Sequence, residues 1–235
     1  MSTVSPVSRP GLFTSSLAVL QKDLRSEWRT RIAVSALLLF AFAVLILVGY
    51  AVGPANISKE DRPVVHSVLL WIVIFFSAMT GLSRVFVHEE ESGTAAALRL
   101  SAPSAAVYLG KLLANLALLT LVLVFVVPLF LALMSFSVAC WPLFLLILLL
   151  GSVGLAAAST FTAAIVSKAA AKGAMFPVLA IPLLLPPLVA AVAGTRIAAT
   201  ESEISAGLDI LQLLLAYDGV VTTATFLLFD AVFRE

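Results

Sequence analysis

The side chains that could carry out chemistry are few and widely separated in this sequence. Its two histidines are His66 and His88, and its single cysteine is Cys140. An intramembrane enzyme or a metal centre needs several nucleophiles, acids or ligands that face one cavity. The sequence holds no such set, and no glycine-rich loop with a lysine that could bind the phosphates of ATP. It therefore predicts no catalytic residue, no metal site and no cofactor bound directly by this chain.

The histidines and the cysteine each have a simpler interpretation. His66 lies near one end of an apolar segment and His88 lies in a charged one, so we expect them at opposite faces of a membrane. Two histidines placed in this way cannot ligate one metal or one haem, and both are interpreted as solvated or interfacial residues. Cys140 lies in an apolar stretch, where a lone cysteine usually packs as a small apolar side chain.

Residues 84–111 concentrate charge between two long apolar stretches. Their pattern predicts a turn, a short helix that ends at Pro103, and a basic anchor, Lys111, at the start of the next apolar stretch. Two interpretations are open: a solvated loop, or a coupling helix that binds in a cleft of a separate ATPase. The residues predicted to make that contact are Glu89, Glu90, Glu91, Gly93, Thr94, Leu98 and Pro103.

Asp218 is the one carboxylate that the sequence places midway along an apolar segment. Burying a charge at the centre of a membrane helix costs on the order of 2.5–3.5 kcal/mol. Asp218 is therefore predicted either to belong to a pathway or subunit interface, or to mark a break in the helix at Asp218 and Gly219.

The preceding apolar segment is rich in proline. An interior proline removes a backbone hydrogen bond and bends a helix, which membrane proteins tolerate where neighbours satisfy the freed carbonyl. A bent helix beside straight helices is compatible with a domain that changes its conformation. Pro182 and Pro186 are therefore grouped with Asp218 as pathway or interface candidates.

The composition identifies the setting of these residues. Hydrophobic residues make up 62% of the 235 residues and charged residues 11%, whereas soluble domains are typically about 45–50% apolar. The chain is therefore predicted to cross a membrane several times. Its net charge is +1, so it has no basic field of the kind that binds nucleic acid.

The apolar stretches predict an all-α membrane protein with six transmembrane helices. The predicted spans are residues 32–52, 64–83, 112–134, 143–166, 173–195 and 208–229. Residues 1–11 are predicted to be disordered. Residues 12–30 are predicted to form an amphipathic helix in the membrane interface, with a cytosolic helix packed on a partner as the alternative. The apolar face of this helix would consist of Phe13, Leu17, Leu20, Leu24 and Trp28.

The distribution of basic residues predicts the orientation. With a cytoplasmic N-terminus, eleven of the fourteen Lys and Arg residues fall on the cytoplasmic side. The other three are Lys59, Arg62 and Arg196. This bias follows the positive-inside rule, so both termini and the charged segment 84–111 are predicted to be cytoplasmic.

The chain also resembles a known family in the order and spacing of several short motifs. They are Lys22-Asp23-Leu24-Arg25, Arg84-Val85-Phe86 through Gly93-Thr94, Gly110-Lys111, residues 148–154, and the proline-rich residues 181–192. With the six spans and the preceding helix, these motifs resemble ABC-2-type exporter permeases. Over nearly the whole length they resemble the CcmB haem-exporter permeases of cytochrome c maturation. One departure is Pro103, which stands alone where relatives often have several prolines.

The resemblance implies partners and a location. It implies a separate ATP-binding ABC subunit that hydrolyses ATP, a second copy of this chain, haem-handling membrane proteins and a periplasmic haem chaperone. The complex would lie in the bacterial inner membrane, with haem as its cargo and this chain as a non-enzymatic permease subunit. No haem site is placed on this chain, because Trp28, Trp71 and Trp141 are scattered, whereas the haem-binding subunit of such systems has tryptophan-rich periplasmic segments.

Two other functions are compatible with the same residues. The chain could be a coupling subunit that uses ATP-driven shape change to release a partner and translocates nothing. It could also be an ABC-2-type exporter of an unrelated lipid or polymer, because a coupling loop alone does not specify the cargo.

Overall fold

The structure is a computed structural model that describes residues 11–52, 57–82, 103–167 and 172–234. Every regular element in these ranges is helical. The elements are α1 (Leu12–Thr30), α2 (Ile32–Ala51), α3 (Arg62–Leu82), α4 (Ser104–Met134), α5 (Trp141–Ser167), α6 (Lys172–Thr200), a 3₁₀ turn (Ile204–Gly207) and α7 (Leu208–Arg234). Helices α2 to α7 are each long and apolar enough to cross a membrane. The prediction of an all-α membrane protein with six spanning helices is confirmed.

Two features of the helices bear on the sequence predictions: the residue at which α4 begins and the continuity of α7. Helix α4 begins at Ser104, so the last part of the predicted loop 84–111 is helical. The prediction used Lys111 as a boundary because of its charge, but this charge is paired within the bundle, as described below. Helix α7 runs without interruption from Leu208 to Arg234, so the predicted alternative of a break at Asp218 is wrong.

Helix α5 lies at the centre of the bundle and has small residues where its neighbours approach. Gly151 has no room for a side chain because the indole of Trp71, from α3, occupies that space. The same indole donates a hydrogen bond from Nε1 to Oγ1 of Thr195 in α6, at 2.8 Å. Small residues allow helices to approach closely in membranes, and here one glycine and one tryptophan hold three helices together.

A second polar contact inside the bundle joins α4 to α5. The Nδ2 atom of Asn115 donates to Oγ1 of Thr160 at 2.8 Å, and the Thr160 hydroxyl donates to the carbonyl of Ala156 at 2.6 Å. A membrane offers no water to satisfy such groups, so they must pair within the protein.

Helix α1 has three distinct sides. Ser15, Ser16 and Val19 are buried, whereas Phe13 and Leu17 remain exposed, and the third side carries charged residues. The exposed apolar side suits the predicted position in the membrane interface. The helix ends at Arg31, which has a left-handed φ of 54° and donates its N–H to the carbonyl of Glu27. Helix α2 begins at the next residue, so the chain changes direction there.

Candidate functional site

Of the residues predicted to contact the ATPase, the structure describes only Pro103. Pro103 precedes α4, and its carbonyl accepts hydrogen bonds from the N–H groups of Ala106 at 2.9 Å and Val107 at 3.1 Å. Pro103 therefore caps the start of α4. The other predicted contact residues, Glu89, Glu90, Glu91, Gly93, Thr94 and Leu98, lie outside the described residues, as does His88.

Lys111 occupies a different place from the predicted anchor at the membrane edge. It lies two turns inside α4 and is 1% exposed. Its Nζ is 2.9 Å from Oδ2 of Asp23 in α1. The other Asp23 oxygen, Oδ1, is 3.3 Å from Nζ of Lys22, whose side chain is half exposed. A buried lysine is tolerated when a carboxylate pairs with it, and this pair ties α1 to α4.

Gly110 brings the backbones of α1 and α4 together beside this ion pair. A Cβ atom on Gly110 would lie 2.6 Å from Cβ of Val19 and 2.8 Å from the carbonyl oxygen of Ser16. These distances are too short for any side chain, so glycine is required here. We refer to Ser16, Val19, Asp23, Gly110 and Lys111 as the α1–α4 joint.

Asp218 lies in α7, where α5, α6 and α7 meet. The residue is 6% exposed, and both carboxyl oxygens lack a hydrogen-bond partner within the described part of the chain. A Cβ on Gly154 of α5 would lie 2.7 Å from its Oδ1 and 3.2 Å from Cβ of Pro187. The absence of a side chain at Gly154 therefore creates the space in which this carboxyl group fits.

Tyr217, the residue before Asp218, connects α7 to α6. Its hydroxyl donates a hydrogen bond to the carbonyl of Leu183. In a regular helix that carbonyl would accept from the N–H four residues later, but residue 187 is a proline and has none. The tyrosine supplies the missing donor, which is how membrane proteins tolerate a proline inside a helix.

The proline candidates do not gather around Asp218. Pro182 and Pro186 lie on the exposed side of α6, whereas Pro187 is buried and is the proline that packs beside Gly154. Pro182 and Pro186 therefore lie on the outside of the subunit, whereas Pro187 lies beside the space that the carboxyl group occupies. Exposed prolines on a spanning helix face lipid or another subunit.

His66 is the clearest correction to the sequence interpretation. Of the two expectations, solvated or interfacial, the first is wrong, because His66 is 1% exposed, whereas its place one turn into α3 is compatible with the second. Its ring packs edge-on against Phe136 at 5.8 Å and against Phe130 at 6.2 Å between ring centroids. The nearby Lys59 and Arg62 make the sequence around His66 polar, which suggests exposure to water. The aromatic rings that bury it come from α4 and the turn after α4, which are distant in the sequence. Cys140 is buried, as expected of a packing residue.

Sequence reasoning missed four residues of these sites, namely Asp23, Gly110, Gly154 and Tyr217. One of them left a readable signal. Pro187 must free the carbonyl of Leu183, so a donor was required on a neighbouring helix, and Tyr217 adjoins a residue already singled out. Gly110 and Gly154 belong to motifs that carry the family resemblance, but only the packed structure shows which helix each glycine faces.

The comparison with known families covers the segments that contain the buried ionisable residues Lys111 and Asp218. The family model described as CcmB protein matches residues 14–233. The chain belongs to the CcmB family. Heme exporter protein B of Rhodobacter capsulatus is 31% identical over 173 residues, which cover 73% of this chain and 78% of that protein. Heme exporter protein B of Pseudomonas aeruginosa is 28% identical over 172 residues, which cover 73% and 76% respectively.

Membership of the CcmB family confirms the resemblance inferred from the short motifs. It also agrees with the six spanning helices in assigning this CcmB-family chain to the bacterial inner membrane as a multi-pass protein. The matched range includes the whole α1–α4 joint and Asp218.

Proposed function

We propose that this chain is the permease subunit of an ABC transporter for cytochrome c biogenesis. It would couple ATP hydrolysis by a separate subunit to haem export or to release of a haem-loaded chaperone. The observation that carries the proposal is the CcmB family match over residues 14–233. It is supported by the similarity to two proteins named Heme exporter protein B.

The α1–α4 joint supports a route by which this chain receives energy. In the proposed complex, the ATPase binds segment 84–102 on the cytoplasmic side. Movement of that segment reaches Pro103, which caps α4. Because Gly110 and Lys111 hold α4 against α1, the two helices move as one unit. The interfacial helix α1 would then follow the coupling segment, and both termini would be cytoplasmic.

The polar site around Asp218 supports a second role, inside the membrane. An intramembrane carboxylate without a partner is usually functional, and this one lies beside a proline-containing helix. We assign Asp218 to the conformational pathway between α5, α6 and α7. The exposed prolines of α6, Pro182 and Pro186, are assigned to contacts outside this subunit.

The proposed partners complete the transporter. Six spans make half of the usual ABC transporter, so a second copy of this chain would form the other half, in keeping with the prevalence of twofold symmetry. The complex would further include the ABC ATP-binding subunit, haem-handling membrane proteins and a periplasmic haem chaperone, with ATP on the partner and haem as cargo.

Charge reversal in the coupling segment tests the proposed contact. We expect the Glu89→Lys/Glu91→Lys variant to lose co-purification with the ATPase and production of c-type cytochromes, because reversed charges remove the electrostatic complementarity that the proposed contact requires. The matched control is Glu201→Lys/Glu203→Lys, which has the same spacing and lies at the other end of the bundle. Full ATPase association of the first variant would contradict the proposed contact.

Reconstitution distinguishes export from purely mechanical coupling. Vesicles that contain the complete complex and ATP should accumulate haem. Formation of the haem-loaded chaperone without haem translocation would instead identify a coupling subunit that moves no cargo. Purification with an ATPase but without haem-handling partners would favour an exporter of a different lipid or polymer.

A further inference from the structure

A small cavity lies at the end of the bundle opposite the α1–α4 joint. It is formed by the start of α3, the turn between α4 and α5, and the end of α6, and its volume is about 230 Å³. The residues that determine its chemistry are Lys59, Arg62, His66, Ser135, Phe136 and Ser137. Two cations, one imidazole and two hydroxyl groups therefore meet at one opening, and none of the described residues in its wall carries a carboxylate.

His66 provides the second observation that points to a ligand. It belongs to the cavity wall and is 1% exposed, yet neither Nδ1 nor Nε2 has a hydrogen-bond partner within the described residues. Buried polar nitrogens are almost always hydrogen-bonded in folded proteins. The aromatic rings of Phe130 and Phe136 enclose it on other sides, so a partner has to approach from the cavity.

The cations at the opening are held in place by local contacts. The Nε of Arg62 donates to the carbonyl of Ile57 at 3.4 Å, which fixes the guanidinium at the start of α3. Asp61 is hydrogen-bonded to the hydroxyl of Ser58 at 2.7 Å, and it does not line the cavity. Lys59 is exposed at the rim, where its flexible ammonium group can approach an incoming anion.

We propose that this cavity binds one anionic oxygen group, either a carboxylate or a phosphate. Lys59 and Arg62 supply the charge-assisted hydrogen bonds, and His66 and the serine hydroxyls supply further polar contacts. Whole small ligands usually occupy cavities of about 300–1,000 Å³, so this one holds a single charged group of a larger molecule. The two available sources are a carboxylate of haem and the phosphate of an anionic phospholipid, and the proposal does not depend on haem export.

Paired charged and neutral probes test this proposal with the purified full chain. In one arm, haem is compared with haem dimethyl ester, in which both carboxylates are blocked. In the other arm, phosphatidylglycerol is compared with diacylglycerol, which lacks the phosphate, by native mass spectrometry. We expect the wild type to prefer the charged member of one pair by about tenfold or more, the effect expected from one charge-assisted hydrogen bond. The arm that shows the preference identifies the source of the anion.

Substitutions then locate the preference in this cavity. The Lys59→Gln/Arg62→Gln variant should lose it, whereas Arg196→Gln, a neutralised arginine outside the cavity wall at the same end of the bundle, should keep it. If the double variant does not fold, Lys59→Gln alone should weaken the preference, because Lys59 is exposed and its replacement disturbs no packing.

Three results would overturn the proposal. The first is equal binding of the charged and neutral members of both pairs. The second is a preference that survives neutralisation of Lys59 and Arg62. The third is an identical change in the haem absorption spectrum for haem and its ester, which would show binding through the iron in place of the carboxylates.

Discussion

Lys111 and Asp218 are both ionisable residues buried in the bundle, and each lies next to a glycine in the sequence. Their surroundings differ in two respects. Lys111 has a carboxylate at 2.9 Å, whereas the Asp218 carboxyl has no hydrogen-bond partner in the described residues. Gly110 has no space for a side chain, whereas nothing lies within 4 Å of a Cβ placed on Gly219.

The difference separates a charge that is paired within the bundle from a carboxyl group that we propose to be functional. Removing one member of a buried ion pair leaves its partner uncompensated, so Lys111 and Asp23 are retained because each stabilises the other. Asp218 receives no such compensation, and its neighbour Gly154 is kept small to accommodate it. A group that is costly to bury and has no partner in the described residues fits the role proposed for Asp218 in another state of the protein.

The largest expected effect on stability comes from Lys111→Met. It leaves Asp23 without its buried partner, and we expect the free energy of unfolding to fall by about 3 kcal/mol. The matched control is Lys22→Met, which removes the half-exposed neighbour of the same carboxylate and should cost less than about 1 kcal/mol. Unfolding in mixed micelles measures both. Equal losses for the two variants would show that burial does not distinguish the two lysines.

Adding Asp23→Asn sharpens the same test. The double variant should recover part of the loss caused by Lys111→Met, because it removes the uncompensated charge.

Gly110→Ala should have the next largest effect. Its Cβ would meet Cβ of Val19 at 2.6 Å and the backbone oxygen of Ser16 at 2.8 Å, so α1 must move away, at a cost of about 2 kcal/mol. Gly219→Ala, beside Asp218, should instead stabilise α7 by about 0.5–1 kcal/mol because it meets open space in a helix interior. Thermal unfolding of both variants in nanodiscs should give shifts of opposite sign, and shifts of the same sign would contradict the proposed geometry.

Tyr217→Phe should have a smaller effect. It removes the donor to the Leu183 carbonyl, which Pro187 cannot replace, and hydrogen bonds between membrane helices contribute about 1 kcal/mol. Tyr50→Phe is the control, because Tyr50 is almost fully exposed and should leave unfolding unchanged. A loss at Tyr217 no greater than that at Tyr50 would show that the proline defect is satisfied in another way.

Asp218→Asn should have the smallest effect on stability and a large effect on activity. None of the described residues donates a hydrogen bond to the carboxyl group that could be lost, so the free energy of unfolding should stay the same or rise. Production of c-type cytochromes should fall at least about tenfold, because the proposed role of Asp218 requires its carboxyl group. Asp209→Asn, at an exposed position of the same helix, is the control and should keep normal production.

Full production of c-type cytochromes by the Asp218→Asn variant would contradict the proposed functional role of Asp218. Lys111 and Asp218 would then differ only in how well each is accommodated.

The six spanning helices could be predicted because their signal is local. A run of apolar residues such as 143–166 is sufficient to identify a membrane helix. The charge of Lys111 suggested that α4 begins after it, whereas the helix begins at Ser104. The charge is paired with Asp23, which lies on another helix far away in the sequence, so this pairing could not be predicted. The same limit applies to His66, whose burial depends on aromatic rings from α4 and the following turn. Contacts between distant segments depend on packing, which one sequence does not reveal.

The ion pair between Asp23 and Lys111 also has a consequence for the order of assembly. Ribosomes extend a polypeptide by roughly 5–20 residues per second, so Asp23 leaves the ribosome several seconds before Lys111. During that interval α1 has no α4 to pack against, and we expect it to rest on the membrane surface through its exposed Phe13 and Leu17. Insertion of α4 then brings Lys111 to the carboxylate of Asp23. We therefore expect this ion pair to form only after α4 has been inserted, when the N-terminal part of the protein is complete.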